Sequence, residues 1–315
     1  MFLILGTTAS GKGQLAFDLA QSLGGEIISI DSMKVYRRMN IGTAKPPQQA
    51  RQCINYHLID IVEPSESFSV AAFLDAALEA IEQIKNRNKP IIAVGGTALY
   101  LKALLYGLFK GPGTDEQLRE QLRMRAQTEG LAKLHSELTK IDPAAADRIS
   151  PNDAKRIIRA LEVYQLTGEP ISSFQKQWAA PQTKDEGRKT KDEWTIVGLR
   201  REKTDTNSRI NKRVKKMIAD GLVDEVSRLL AEEKPLSKQA RCAIGYAEII
   251  NYLAGRQTLE DAIELIKKNT RRLAKGQRTW FKTFKNVHWL DIAPDDPPEK
   301  IFNQAKSLLR NAAES

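Results

Sequence analysis

A short apolar run, Phe2-Leu-Ile-Leu5, leads into Gly6-Thr-Thr-Ala-Ser-Gly11-Lys12, and a segment with helical spacing of Leu15, Leu19 and Leu23 follows. No other feature narrows the fold so far. A Gly-x4-Gly-Lys loop between a strand and a helix gathers backbone N–H groups and a helix N-terminus around one point. That arrangement suits phosphate oxygens, with Lys12 neutralising the outer phosphate. Gly6, Thr7, Thr8, Ala9, Ser10, Gly11, Lys12 and Gly13 are therefore the expected diphosphate cradle. Position 13 is unusual. An ordinary loop of this kind has Ser or Thr there to ligate Mg²⁺, and Gly13 has no side chain to do so. Mg²⁺ remains the expected cofactor, held through water or through another hydroxyl such as Ser10 or Ser32.

Further runs rich in β-branched residues occur at Glu26 to Ile30, Pro90 to Val94, Thr195 to Leu199 and Val287 to Leu290, and Phe73, Ala77, Ile81 and Ile84 follow a helical period. Strands alternating with helices predict a parallel α/β sheet. From 114 to 191 strand signals vanish, and helical segments begin at Pro143 and Pro151 before a polar stretch from Pro181 to Lys191. Strand character resumes at Trp194. The expected organisation is a P-loop, nucleotide-kinase-like α/β core of residues 1–113 and 192–315, interrupted by an all-helical insertion over 114–191. Beyond the sheet, Ile210, Val214, Met217, Ile218, Leu222, Val226, Leu229 and Leu230 predict one amphipathic helix from Asn207 to Glu232.

Composition excludes several classes. No apolar stretch approaches the roughly 20 residues that cross a bilayer, and the N-terminus lacks the basic and apolar regions of a signal peptide, so a cytoplasmic protein without a membrane partner is expected. Cys53 and Cys242 with His57, His135 and His288 cannot build a disulfide framework or a closed zinc site. The formal charge of +10 favours a polyanionic partner, and Lys267 to Lys285 carries eight cations with no acidic residue among them. A monomer is expected.

Asp31 ends the second apolar run, where parallel sheets place ligands. From spacing alone it is a metal ligand, a general base or a helix N-cap. Gly95-Gly96-Thr97 puts a tight turn and a hydroxyl at the same rim, or is a simple turn into a helix. Lys155, Arg156 and Arg159 share one helix face, and Arg209 and Arg213 share another.

The P-loop together with Asp31-Ser-Met-Lys-Val-Tyr36, Asn40-Ile-Gly-Thr-Ala-Lys-Pro46, Ser67-Phe-Ser-Val-Ala71, Val94-Gly-Gly-Thr-Ala-Leu-Tyr100, Ser150 to Glu162, Ile244-Gly-Tyr246 and Thr279-Trp-Phe281 resembles the tRNA dimethylallyltransferases, in the order that family has them. The resemblance covers essentially the whole chain. It implies transfer of a dimethylallyl group from dimethylallyl diphosphate to N6 of the adenosine immediately 3′ of the anticodon, with the acceptor base turned out of its loop. Carried over by motif, Asp31 is the base that receives the amine proton, Thr97 holds diphosphate or the adenine, and Arg213 binds the diphosphate as charge develops on it. The tRNA anticodon stem-loop is the expected partner, met by Asp31, Ser32, Met33, Lys34, Thr97, Lys155, Arg156, Ile157, Ile158, Arg159, Arg241, Gly245 and Tyr246. The basic segment adds further contacts, with Trp280 and Phe281 assigned to the core. The chain departs from the family pattern at Thr7, where proline is usual, at Gly13, at Asn55-Tyr56 in place of Pro-His, and at Gly276, where a basic residue is usual.

Three other readings remain open at this level. A P-loop nucleoside or nucleotide kinase shares the loop but depends on well-placed Mg²⁺, which Gly13 disfavours. Transfer to free adenine nucleotides needs neither the helical insertion nor the basic segment. A tRNA-binding protein that has lost catalysis through Gly13 is the third.

Overall fold

A computed structural model describes residues 1–108, 111–175 and 194–314, with side chains as far as Leu308. The polar stretch from Pro181 to Lys191 lies outside the described residues. Six strands, β1 (Phe2–Gly6), β2 (Glu26–Ile30), β3 (Tyr56–His57), β4 (Ile91–Gly95), β5 (Thr195–Arg201) and β6 (Val287–Ile292), form one parallel sheet in the order β3-β2-β4-β1-β5-β6. β1 lies between β4 and β5, so the chain leaves it toward one edge and returns to its other side. That is a topological switch point, where parallel sheets leave room for a ligand at the carboxyl ends of their strands. β3 is a two-residue edge strand too short to show in the apolar pattern.

The helices are α1 (Lys12–Leu23), α2 (Gln48–Cys53), α3 (Val70–Asn86), α4 (Ala98–Tyr106), α5 (Glu116–Thr128), α6 (Leu131–Ile141), α7 (Pro143–Ala146), α8 (Ala154–Thr167), α9 (Ile171–Phe174), α10 (Lys203–Ala219), α11 (Leu222–Leu230), α12 (Lys238–Arg241), α13 (Tyr246–Leu253), α14 (Leu259–Phe281) and α15 (Pro298–Glu314). The helix expected over Asn207 to Glu232 is two helices. The chain turns at Asp220-Gly221, where Gly221 takes φ +94, a conformation that costs glycine little and other residues more. α8 starts from an Asp153 side-chain cap on Arg156 N–H and not from Pro151, because the carboxylate satisfies an amide that proline two residues earlier cannot reach.

Two compact units result. The first is Met1–Leu105 with Lys189–Ser315, and the second is Tyr106–Arg188. In the first, Leu15, Ala16 and Leu19 of α1 pack with Ile4, Ile92 and Val197 of the sheet and with Ile301 and Ala305 of α15. A separate cluster joins Val35, Tyr36 and Met39 to Ile210, Val226, Tyr246 and Ile266. The second unit has its own core of Leu122, Leu134, Leu138, Ile157, Leu161 and Ile171. Within it the fully buried Glu162 accepts Asp115 N–H at 2.8 Å and meets Arg159 at 2.7 Å and Arg119 at 3.0 Å.

Candidate active site

The carboxyl ends of β2, β4, β1 and β5 carry, in sheet order, Asp31, Gly96-Thr97, the P-loop and Arg201. Strong apolar strands fix these four loops side by side, since each strand's inner face is committed to the core. The P-loop itself is tightly wound. Ser10 N–H donates to Thr7 O at 3.2 Å, and Ala9 and Gly11 take φ of +64 and +97. A left-handed alanine is strained, so its surroundings must hold it. Arg209 Nε donates to Ala9 O at 2.8 Å, Arg201 Nε donates to Ser10 O at 2.9 Å, and Thr8 N–H donates to Gln277 Oε1 at 2.7 Å. Arg201, almost fully buried, is steadied by Asp205 at 2.9 Å.

Lys12, Lys34 and Arg213 surround this loop. Lys12 Nζ donates to Thr7 O at 3.2 Å, and Arg213 Nη1 donates to Thr8 Oγ1 at 3.3 Å. Burial, reinforced by Lys34 and Arg213 and opposed by Asp31, holds the Lys12 ammonium down at about 7. Burial likewise lowers Lys34, with Asp31 opposing and Arg213 adding to it, and lowers Arg213, with Arg209 adding to it. Desolvated cations in mutual repulsion are a standing demand for an anion. The cluster therefore supplies what a diphosphate needs before the ligand arrives.

Asp31 Oδ1 accepts Met33 N–H at 2.9 Å and Lys34 N–H at 3.3 Å, which is the cap-like geometry among its three sequence readings. That contact fixes the carboxylate and leaves Oδ2 for another partner. Ser32 N–H donates to Thr97 Oγ1 at 3.2 Å, tying the loop after β2 to the loop after β4. The loop that carries the carboxylate and the loop that carries the hydroxyl are thus joined by one hydrogen bond.

The fit to Mg²⁺ is poor in the protein's own groups. Among the described residues, no three His, Cys, Asp or Glu side chains cluster as metal ligands. Ser10 Oγ, one of the two hydroxyls expected to ligate, is fully buried without a partner and would lie 2.7 Å from a Cβ at Gly6, so it turns beneath the loop. Ser32 stays half-buried at the rim. Gly13 is exposed, with open space where a side chain would be.

Residues expected to meet RNA fall into two sets. Lys155, Arg156 and Arg241 are exposed, and Ser32, Met33, Lys34 and Thr97 are half-buried. Ile157 and Ile158 are core residues of the helical unit, and Tyr246 is fully buried, so their side chains are not available to a polymer outside. Arg159 is spent on Pro112 O, Gly113 O and Glu162. Tyr246 acts inside the fold instead. Its hydroxyl donates at 2.6 Å to Glu225, which also accepts N–H of Asn40 at 3.0 Å, Ile41 at 2.9 Å and Gly42 at 3.3 Å. A Cβ on Gly42 would meet the Tyr246 ring at 2.4 Å, and Gly245 sits at φ +96. The motifs around Asn40 and Tyr246 are therefore one packed device. On α14, Phe281 is buried as expected, while Trp280 is partly exposed beneath Lys102 Nζ at 5.1 Å. Lys268, Arg272, Lys275 and Lys282 face solvent.

Sequence reasoning missed Arg201 and Gln277. Arg201 follows an apolar strand as one of two arginines, with nothing to mark which turns inward. Gln277 had a legible signal, because Ile266, Ala274, Gln277 and Phe281 fall on one buried stripe of α14, and a polar side chain on such a stripe needs a partner.

A family model described as IPP transferase matches residues 34–284. The chain is 45% identical to the tRNA dimethylallyltransferase of Geobacter metallireducens over 92% of each chain, and 42% identical to that of Acetivibrio thermocellus over 98% of this chain and 97% of the other. Among solved structures it is similar to the tRNA isopentenylpyrophosphate transferase of Bacillus halodurans, with a TM-score of 0.70, 39% identity, and coverage of 99% and 97%. It is also similar to a eukaryotic dimethylallyltransferase solved acting on tRNA, with a TM-score of 0.77, 28% identity, and coverage of 99% of this chain and 79% of that one.

Proposed function

The chain belongs to the IPP transferase family, and on that premise we propose that it moves the dimethylallyl group of dimethylallyl diphosphate onto N6 of the adenosine immediately 3′ of the anticodon in tRNA. The observation that carries this reading is the hydrogen bonding of Lys12 and Arg213 to Thr7 O and Thr8 Oγ1 of the P-loop, together with the Asp31 carboxylate held by Met33 and Lys34 N–H at the carboxyl end of β2 in the same sheet. The loop N–H groups and the desolvated Lys12, Lys34 and Arg213 take the diphosphate, and their charge lowers the cost of its departure as the allylic C1–O bond breaks. N6 of the flipped adenine forms the new bond to C1. Its nitrogen then carries a positive charge and becomes strongly acidic, so a carboxylate is basic enough to accept the proton, and in this reading Asp31 accepts it on the oxygen that does not take Met33 and Lys34 N–H. Thr97, hydrogen-bonded to Ser32 N–H, orients the rim around the base or the diphosphate.

Mg²⁺, where present, would be held by the diphosphate and water with Ser32 as the candidate hydroxyl, and would offset part of the diphosphate charge. Lys155 and Arg156 of the helical unit, Arg241 of α12 and the exposed cations of α14 take phosphates of the anticodon stem-loop, the usual source of affinity in such complexes. A kinase reading has no comparable support, since phosphoryl transfer leans on the loop hydroxyl absent at Gly13.

The test is incubation of the protein with radiolabelled dimethylallyl diphosphate, Mg²⁺ and unmodified anticodon stem-loop. Label on the RNA is expected. RNA binding without label would leave only a tRNA-binding role, and label on AMP alone would remove tRNA as the acceptor.

A further inference from the structure

Gln277 lies on α14 near the middle of the basic segment, yet its side chain points inward and is only 8% exposed. Its Oε1 accepts Thr8 N–H of the P-loop at 2.7 Å, and its Nε2 donates to Gly96 O at 2.9 Å in the loop after β4. One amide thus joins the two loops that flank the site. Each loop is one step from a proposed reacting group: Thr8 Oγ1 accepts from Arg213, and Thr97, next to Gly96, accepts Ser32 N–H beside Asp31. The contact is close enough to constrain sequence, because a Cβ on Gly96 would lie 2.5 Å from Gln277 Nε2.

The bridge needs an acceptor and a donor on one planar group. A carboxylate has acceptors alone and an ammonium has donors alone. With a carboxylate in place of the amide, Gly96 O would face an oxygen, and both would be desolvated without a hydrogen between them. With a small apolar residue, Thr8 N–H would also lose its acceptor.

We propose that Gln277 is a positioning residue for prenyl transfer, a strut that sets the spacing between the diphosphate loop and the loop carrying Thr97. The inference rests on the transferase reading. The strut holds the donor's leaving group and the acceptor's rim in register, and displacement of reacting groups by about 1 Å can cost on the order of 100-fold in rate. Because the strut is rooted on α14, the helix that presents Lys275 and Arg272 to solvent also aligns the donor loop.

Gln277→Glu and Gln277→Ala test this in the full-length protein. The first keeps size, shape and the acceptor for Thr8 N–H and removes only the donor to Gly96 O, so it tests the bridge itself. Single-turnover transfer at saturating donor and stem-loop is expected to fall at least about tenfold in both variants, as loss of a buried hydrogen bond implies. Stem-loop affinity should stay within about twofold, since phosphate contacts supply it. Wild-type rate in Gln277→Glu would overturn the proposal, as would a loss of stem-loop affinity as large as the loss of rate. If Gln277→Ala does not fold, Gln277→Glu decides alone. If the wild-type protein labels no RNA, the transferase reading fails instead, and calorimetry with inorganic diphosphate then judges the strut: binding about tenfold weaker in Gln277→Glu supports it, and unchanged binding overturns it.

Discussion

The P-loop end of the sheet and the core of the helical unit handle buried charge in opposite ways. In the helical unit the buried carboxylate of Glu162 meets Arg119, Arg159 and the Asp115 N–H, so its charge is fully answered within the protein. At the P-loop, Lys12, Lys34 and Arg213 repel one another, and among the described residues Asp31 is the carboxylate that bears on Lys12 and Lys34. An answered charge stabilises its own fold. An unanswered one is held in place by the rest of the fold and favours an anion, so the same residue types serve structure in one region and, in the proposed reading, binding in the other.

The largest expected effect falls where the unanswered cluster meets the Asp31 carboxylate. Asp31→Ala should lower the transfer rate by about 10²–10⁴-fold while leaving stem-loop affinity nearly unchanged, as filter binding and single-turnover labelling would read. Parallel loss of both would end the distinction between chemistry and binding at this residue. In the answered region, Glu162→Ala leaves two arginines facing a void and should cost about 3–5 kcal/mol in urea unfolding. A negligible cost would mean that the two regions do not differ in this respect.

Lys12 sharpens the contrast through pH. Its folded value of about 7 lies below the ordinary 10.5, so between those limits the unfolded chain binds more protons and stability rises with pH from this group. Lys12→Met should therefore raise the unfolding midpoint by a few degrees at pH 6, with the gain fading toward pH 10. Diphosphate reverses the burial penalty, so at pH 8 binding should take up close to one proton more in the wild type than in Lys12→Met, measured by calorimetry in buffers of different ionisation enthalpy. The smallest effect is at position 13. A hydroxyl fits the open space there, and Gly13→Thr should lower the Mg²⁺ concentration for half-maximal transfer a few-fold. An unchanged requirement would place the metal's contacts elsewhere.

Much of the sheet was legible because its strands are buried on both faces and read as continuous apolar runs, so the residues at their ends, Asp31, Gly96-Thr97 and the P-loop, could be located from sequence. What position could not convey was the partner of each side chain. The break at Gly221 was hidden by an apolar period that continues in phase across it. Ile157, Ile158 and Tyr246 sit inside motifs shared with a tRNA-modifying family, and a shared motif does not separate residues that touch the substrate from residues that hold those in place. Gln277 and Arg201 make contacts across 269 and 191 residues of chain, so a local pattern can mark that Gln277 needs a partner and cannot say which.

The loop that begins at Asn40 belongs to no helix or strand, yet three of its successive amides end on the Glu225 carboxylate, itself buried and locked by Tyr246. Such amides open only when that packed device comes apart. In deuterated water, Asn40, Ile41 and Gly42 should keep their hydrogens about as long as the sheet does, so that measured by the clock this coil belongs to the rigid scaffold.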